Sequence, residues 1–132
     1  MRTFLSLALF AGACVASQPG GIDYSVSGGF GGGGNDTPPM HIDPDGRVTR
    51  ALPGGPKVTL LAPSETASLY RKVRDAEFAT LAPQYDECCD GYVHEVRVQL
   101  DGTAYTVEAS ELARIPDRLQ VVIDALQDIA RR

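Results

Sequence analysis

Tryptophan is missing from the 132-residue chain, and histidine occurs only twice, as His41 and His94. Two histidines far apart supply no pair at metal-ligand spacing, and no Ser-His-Asp or Cys-His arrangement stands out, so zinc chemistry and nucleophilic catalysis find no motif. Basic residues are also short: 12 Lys and Arg face 17 Asp and Glu, for a formal charge of -5 and a pI near 4.9. Without a basic stripe to displace phosphate counterions, nucleic acid is an unsuitable partner. Long apolar runs are lacking too. The longest, Thr3–Ala13, is too short to span a membrane as a helix.

What that run can be is a secretory signal. Arg2 precedes it and small residues follow, so residues 1–13 read as a signal peptide and the folded part as exported. Ala11-Gly12-Ala13-Cys14 is similar to the lipobox of bacterial lipoproteins, with alanine where leucine is usual. In that reading Cys14 is lipidated and anchors the chain to the cell envelope. The alternative is ordinary cleavage after Ala16 or Ser17, which discards Cys14 and leaves a periplasmic or secreted product. Residues 14–21 form a tether, and residues 22–132 are long enough for one domain but not for two cores.

The other cysteines, Cys88 and Cys89, are adjacent in Tyr85-Asp86-Glu87-Cys88-Cys89-Asp90-Gly91-Tyr92. They can bridge each other, stay free, or bridge other chains. An oxidising envelope favours the vicinal disulfide, which would stiffen the loop. The flanking acids raise a thiol pKa and argue against a reactive thiolate.

Ile22, Tyr24 and Val26 alternate with polar residues as in a half-buried strand. Met40 and Ile42 mark a second strand and Val48 a third, joined by the hairpin loop Pro44-Asp45-Gly46, which should face Ile42 with Val48. Asp43, Asp45 and Gly46 superficially suggest a calcium loop, but the downstream ligands are missing. Pro53–Pro56 ends the third strand, and Lys57–Leu61 can add a short edge strand. A helix is expected from Ser64, its N-cap, through Leu69, Val73 and Ala76, with Phe78 and Leu81 plugging the core before Pro83.

His94, Val96, Val98 and Leu100 alternate up to Asp101-Gly102, a type I′ hairpin signal. Pairing across it sets Leu100 against Thr103, Val98 against Tyr105 and Val96 against Val107. A closing helix with Pro116 near its start carries Leu119, Val121, Val122, Ile123, Leu126 and Ile129. The expected fold is α+β: a small antiparallel sheet, in the order β-β-β-α-β-β-α, with two helices packed on one face. His94 falls on the core side, as an ordinary buried histidine, and His41 toward solvent.

One stretch admits two readings: a plain strand-to-strand loop with Phe30 packed at the end of the first strand, or an exposed contact segment. The seven residues Gly28–Gly34 comprise six glycines and Phe30. Glycine lets another backbone approach closely, and an aromatic ring beside it suits a protease cleft that takes bulky apolar residues. Ser27-Gly28-Gly29-Phe30 at the end of the first strand, the Asp45-Gly46-Arg47-Val48 turn, the helix through Leu69 with Phe78 behind it, the later strand pair and the closing helix together resemble the emfourin family. Its members are small proteinaceous inhibitors of thermolysin-like metalloproteases.

The resemblance implies that Ser27, Gly28, Gly29 and Phe30, with the loop residues Asn35 and Asp36, contact a protein partner, such a metalloprotease, by occupying its cleft as a poor substrate. The export signal, the longer glycine run and Cys88-Cys89 depart from the family pattern. Such a protein needs no catalytic residue, cofactor or metal. The rival expectation is an envelope binding or scaffold lipoprotein with neither inhibitory nor catalytic activity.

Overall fold

The computed structural model describes residues 20–28, 37–86 and 91–132. Seven strands and two α-helices follow in the order β1 (Ile22–Gly28), β2 (Thr37–Ile42), β3 (Arg47–Leu52), β4 (Gly55–Leu60), α1 (Pro63–Asp75), β5 (Gln84–Tyr85), β6 (Tyr92–Leu100), β7 (Thr103–Ser110) and α2 (Asp117–Ala130). A short 3₁₀ turn, Phe78–Thr80, separates α1 from β5. The sheet runs β4-β3-β2-β1-β6-β7-β5, antiparallel throughout except where β5 joins β7 in parallel. The fold is therefore α+β, as expected, but the sheet is larger than the small one anticipated. The element order also differs, with β4 fully formed and β5 added.

Turn chemistry sets much of the register. Asp101 and Gly102 both take positive φ, at 50° and 80°, and close the β6–β7 hairpin with Leu100 against Thr103, Val98 against Tyr105 and Val96 against Val107. Gly46, at φ 93°, closes the earlier hairpin and lets Ile42 face Val48. Strand β1 has no local partner on its other side. It pairs with β6, more than sixty residues away, over its whole length, from Ile22 opposite Val98 to Gly28 opposite Tyr92.

The alternation on these strands decides which face is dry. Ile22, Tyr24, Val26, Met40, Ile42, Val48, Val96, Val98 and Val107 are buried in one core together with Leu69, Val73 and Phe78 and the apolar stripe of α2. Leu119, Val122, Ile123, Leu126 and Ile129 supply that stripe. Burial of such side chains is worth about 1.5–3 kcal/mol each, so packing rather than helix propensity holds α2 in place. Val121, expected in the same stripe, is instead 46% exposed. In the run Gln120–Ile123 the helical turn can face only some of the apolar residues inward.

Two arginines fasten the helix ends. Arg50 on β3 donates from its guanidinium to the carbonyls of Ile129 and Ala130, the latter at 3.1 Å, at the negative end of the α2 dipole. Arg118 Nε donates to the Ala76 carbonyl at 2.9 Å, tying the start of α2 to the end of α1. Helix α1 does not begin on a Ser64 cap. Ala62 is its N-cap, without a side-chain hydrogen bond, and Pro63 occupies the first turn, where a missing N–H costs nothing. Gly20 and Gly21, assigned to the tether, exchange backbone hydrogen bonds with Gln99 at 2.8 and 3.2 Å and so continue the sheet margin. No helix among the described residues is long and apolar enough to cross a membrane.

Candidate functional site

The ends of β1 and β6 that lie away from the Asp101-Gly102 turn gather the chemistry. Ser27 and Gly28 close β1 in exposed positions, opposite Val93 and Tyr92. Gly28 takes φ 93°, and a Cβ there would stand 3.2 Å from the Gly91 carbonyl oxygen, so glycine is favoured by conformation and by the close backbone just ahead of β6. The chain returns to the same end, where Thr37 pairs with Val26. Of the expected partner-contacting residues, Ser27 and Gly28 are thus brought together. Gly29, Phe30, Asn35 and Asp36 lie outside the described residues, as do Cys14 and the Cys88–Cys89 pair.

Beneath this end, on the core side, Tyr24 and His94 form a buried polar pair. The Tyr24 hydroxyl lies 2.9 Å from His94 Nδ1, and the rings stack at 6.1 Å between centroids with 16° between planes. Register explains the meeting. Val26 pairs with His94 and Tyr24 with Val96, so Tyr24 and His94 are diagonal neighbours on one sheet face. Burial pushes the Tyr24 phenol up to about 12, against the effect of the Gln127 side chain beside it. Burial likewise lowers the His94 pKa, outweighing the nearby carboxylates of Glu111 and Asp124. At neutral pH both groups are uncharged.

His94 borders two hollows, and Tyr24 borders the first of them. One, of about 170 Å³, is bounded by β1, β2, β6 and the end of α2, with Tyr24, Thr37, His94, Glu111, Gln127 and Arg131 on its walls. The other, of about 140 Å³, lies between the end of β7 and α2 and includes His94, Ser110, Glu111, Gln120 and Gln127. His94 lines both while only 5% exposed. Sequence reasoning placed His94 in the core but missed its partner. Tyr24 stood at core parity on β1, yet nothing local could align β1 with β6.

The second histidine works on the opposite face. His41 Nδ1 lies 2.7 Å from Asp23 and Nε2 lies 3.1 Å from Asp43. Partial burial lowers its pKa, but the hydrogen bonds and charges of Asp23 and Asp43 prevail and raise it. The cluster is a half-exposed clasp between β1 and the start of the Pro44-Asp45-Gly46 turn. Among the described residues no group of three His, Cys, Asp or Glu side chains is placed to hold a metal ion.

Neither comparison with known proteins gives a relative: no protein-family model matches the sequence, and no curated protein matches it.

Proposed function

We propose that this chain is an exported, non-enzymatic protein-binding domain, anchored to the bacterial envelope through a lipid on Cys14, that inhibits a thermolysin-like metalloprotease. The observation that carries the reading is the position of Ser27 and Gly28. They sit exposed at the end of β1, paired with Val93 and Tyr92 of β6, on a strand that up to Val26 is also paired with β2. A strand paired on both edges is a rigid base from which a short apolar segment can be offered without much further ordering cost. The Ser27-Gly28-Gly29-Phe30 resemblance to emfourins supplies the kind of partner, and the large side chain of Phe30 supplies the contact. In this reading Cys88 and Cys89 close a vicinal disulfide ahead of β6.

The test is inhibition of a purified thermolysin-like protease by the purified domain, repeated with Phe30→Ala. Saturable inhibition that weakens by tenfold or more in the variant supports the reading. Unaltered hydrolysis at excess of the native domain removes it and leaves a binding or scaffold role without inhibition. Anchoring is read separately: cells fed a labelled fatty acid should label the native chain and not Cys14→Ser. Intact mass before and after reduction and alkylation reports whether Cys88 and Cys89 are bridged.

A further inference from the structure

The two margins of the sheet are guarded unequally. At one, β7 is covered by the two-residue β5, and so short an edge strand offers little to another chain. At the other lies β4, six residues long, paired with β3 alone and exposed at every position. Register shows which of its peptide groups are open. The Leu61 N–H bonds the Gly46 carbonyl at 2.9 Å, and Leu52 pairs with Gly55 across the Pro53-Gly54 turn. Hydrogen bonding alternates along an antiparallel pair, so Gly55, Lys57 and Thr59 turn their N–H and C=O toward β3. Val58 and Leu60 turn both groups away from the sheet. Pro56 turns only a carbonyl outward, having no N–H.

Side chains and charge point the same way. Val58 stands opposite Thr49 and Leu60 opposite Arg47, on the face away from buried Val48, and the two are 48% and 76% exposed. Proline and lysine commonly protect a long edge. Here Pro56 closes the half next to the turn, whereas the half nearer α1 presents two apolar side chains on two open peptide units. The chain as a whole is acidic, at -5, yet between Asp45 and Glu65 it holds Arg47, Arg50 and Lys57 and no carboxylate side chain. Arg50 is engaged by the end of α2. Arg47 and Lys57 have no ion pair among the described residues, and they flank Leu60 and Val58. A second copy paired edge to edge would bring these same cations together, which disfavours it.

We propose that the β4 edge from Lys57 to Leu60 takes up an extended, acidic segment of a protein partner as an added strand, in which apolar side chains alternate with Asp or Glu. The segment bonds the open N–H and C=O groups of Val58 and Leu60. Its apolar side chains lie beside Val58 and Leu60 on the outer face, and its carboxylates, on the other face, meet Lys57. Strands β3 and β2 separate this edge from β1, so the proposal does not depend on the metalloprotease reading.

The experiment titrates the full chain, labelled with ¹⁵N, with an acetylated and amidated Thr-Val-Glu-Val-Glu-Val-Thr peptide and with its counterpart carrying Lys for Glu. Saturable amide shifts are expected at Val58 and Leu60 and in β3, with the Lys peptide bound about fivefold more weakly. Lys57→Glu should abolish that preference. Val58→Pro removes an N–H that β3 does not use, a change that an edge strand tolerates, and should weaken binding about tenfold while the β6–β7 amide signals stay in place. Leu60→Ser leaves the backbone intact, so it serves as a second measure should the proline variant not fold, and should weaken binding about fivefold. The proposal is overturned if the Glu peptide leaves the β4 amides unshifted, if both peptides bind equally, or if Leu60→Ser and a folded Val58→Pro bind as the native chain does. Shifts of the same amides on raising the protein concentration without peptide would also overturn it, assigning the edge to a second copy.

Discussion

Tyr24 and His94 come from strands seventy residues apart and meet at 2.9 Å under the sheet, stacked and hydrogen-bonded within an otherwise apolar core. A polar pair so placed is costly to break from one side and cheap to replace from both. Tyr24→Phe removes the hydroxyl and leaves Nδ1 of His94 buried without its donor, which should destabilise the domain by about 1–3 kcal/mol. Adding His94→Leu to Tyr24→Phe should recover part of that loss, because no orphaned nitrogen remains. Urea denaturation of both single variants and the double variant closes the cycle. Strictly additive losses would show that the two groups do not depend on one another.

The two histidines should give opposite pH dependences. The pKa of His41 is raised in the fold by Asp23 and Asp43, so its stabilisation is fully present below its unfolded value and fades as pH rises through the folded one. The pKa of His94 is lowered by burial, against Glu111 and Asp124. Its unfolded form therefore takes up a proton first, and stability is lost as pH falls below about 6.5. Denaturation at about pH 5 and about pH 8 separates them. His41→Asn should lose most relative to the native chain at the acid value, whereas His94→Gln should fall less on acidification than the native chain does. Parallel pH profiles for all three proteins would contradict both assignments.

Arg50 supplies a third test. Its guanidinium reaches the carbonyls of Ile129 and Ala130 in the last turn of α2, the former also accepting the Arg132 N–H at 3.3 Å, and Arg50→Met keeps most of the stem while removing both guanidinium bonds. The expected loss is about 1–3 kcal/mol, accompanied by faster amide exchange confined to the last turn of α2. Uniform faster exchange throughout the helix would mean that Arg50 acts through core packing instead.

Legibility in the sequence followed sequence distance. Asp101-Gly102 and Pro44-Asp45-Gly46 name their own turns, and each turn carries its flanking register with it, so two hairpins could be written down residue by residue. The pairing of β1 with β6 is set by burial of a whole sheet face, which no local pattern encodes, and the Tyr24–His94 contact depends on it. Strand β5 was not legible for another reason: two residues, Gln84 and Tyr85, show no period. Pro63 was overlooked as a helix start because Ser64 offered a familiar cap, although a rigid φ at the first turn can serve without any side-chain bond. Of the candidate site, Ser27 and Gly28 were readable from the end of an alternating strand, while Glu111, Gln127 and Arg131 join it only through tertiary packing.

Gly46 tests whether backbone conformation and packing can be separated at one position. Its φ of 93° lies in the left-handed region, and a Cβ there would stand 2.4 Å from Thr66 Oγ1 in α1. Its carbonyl also accepts the Leu61 N–H at 2.9 Å, so the turn is pinned between β4 and the start of α1 and has little room to move aside. Gly46→Ala therefore carries two penalties: about 1 kcal/mol for placing an L-residue at positive φ, and a further overlap cost of about 1–3 kcal/mol. Thr66→Ala removes the 2.4 Å overlap and so relieves most of the second, leaving the Leu61 carbonyl oxygen at 3.3 Å. The double variant Gly46→Ala/Thr66→Ala should then be more stable than the sum of the single losses predicts, yet still fall short of Thr66→Ala alone by about the conformational term. Thermal melts of the four proteins measure both quantities. Equal stability of the double variant and Thr66→Ala would show that the clash was the whole effect and that the turn accepts an L-residue without strain.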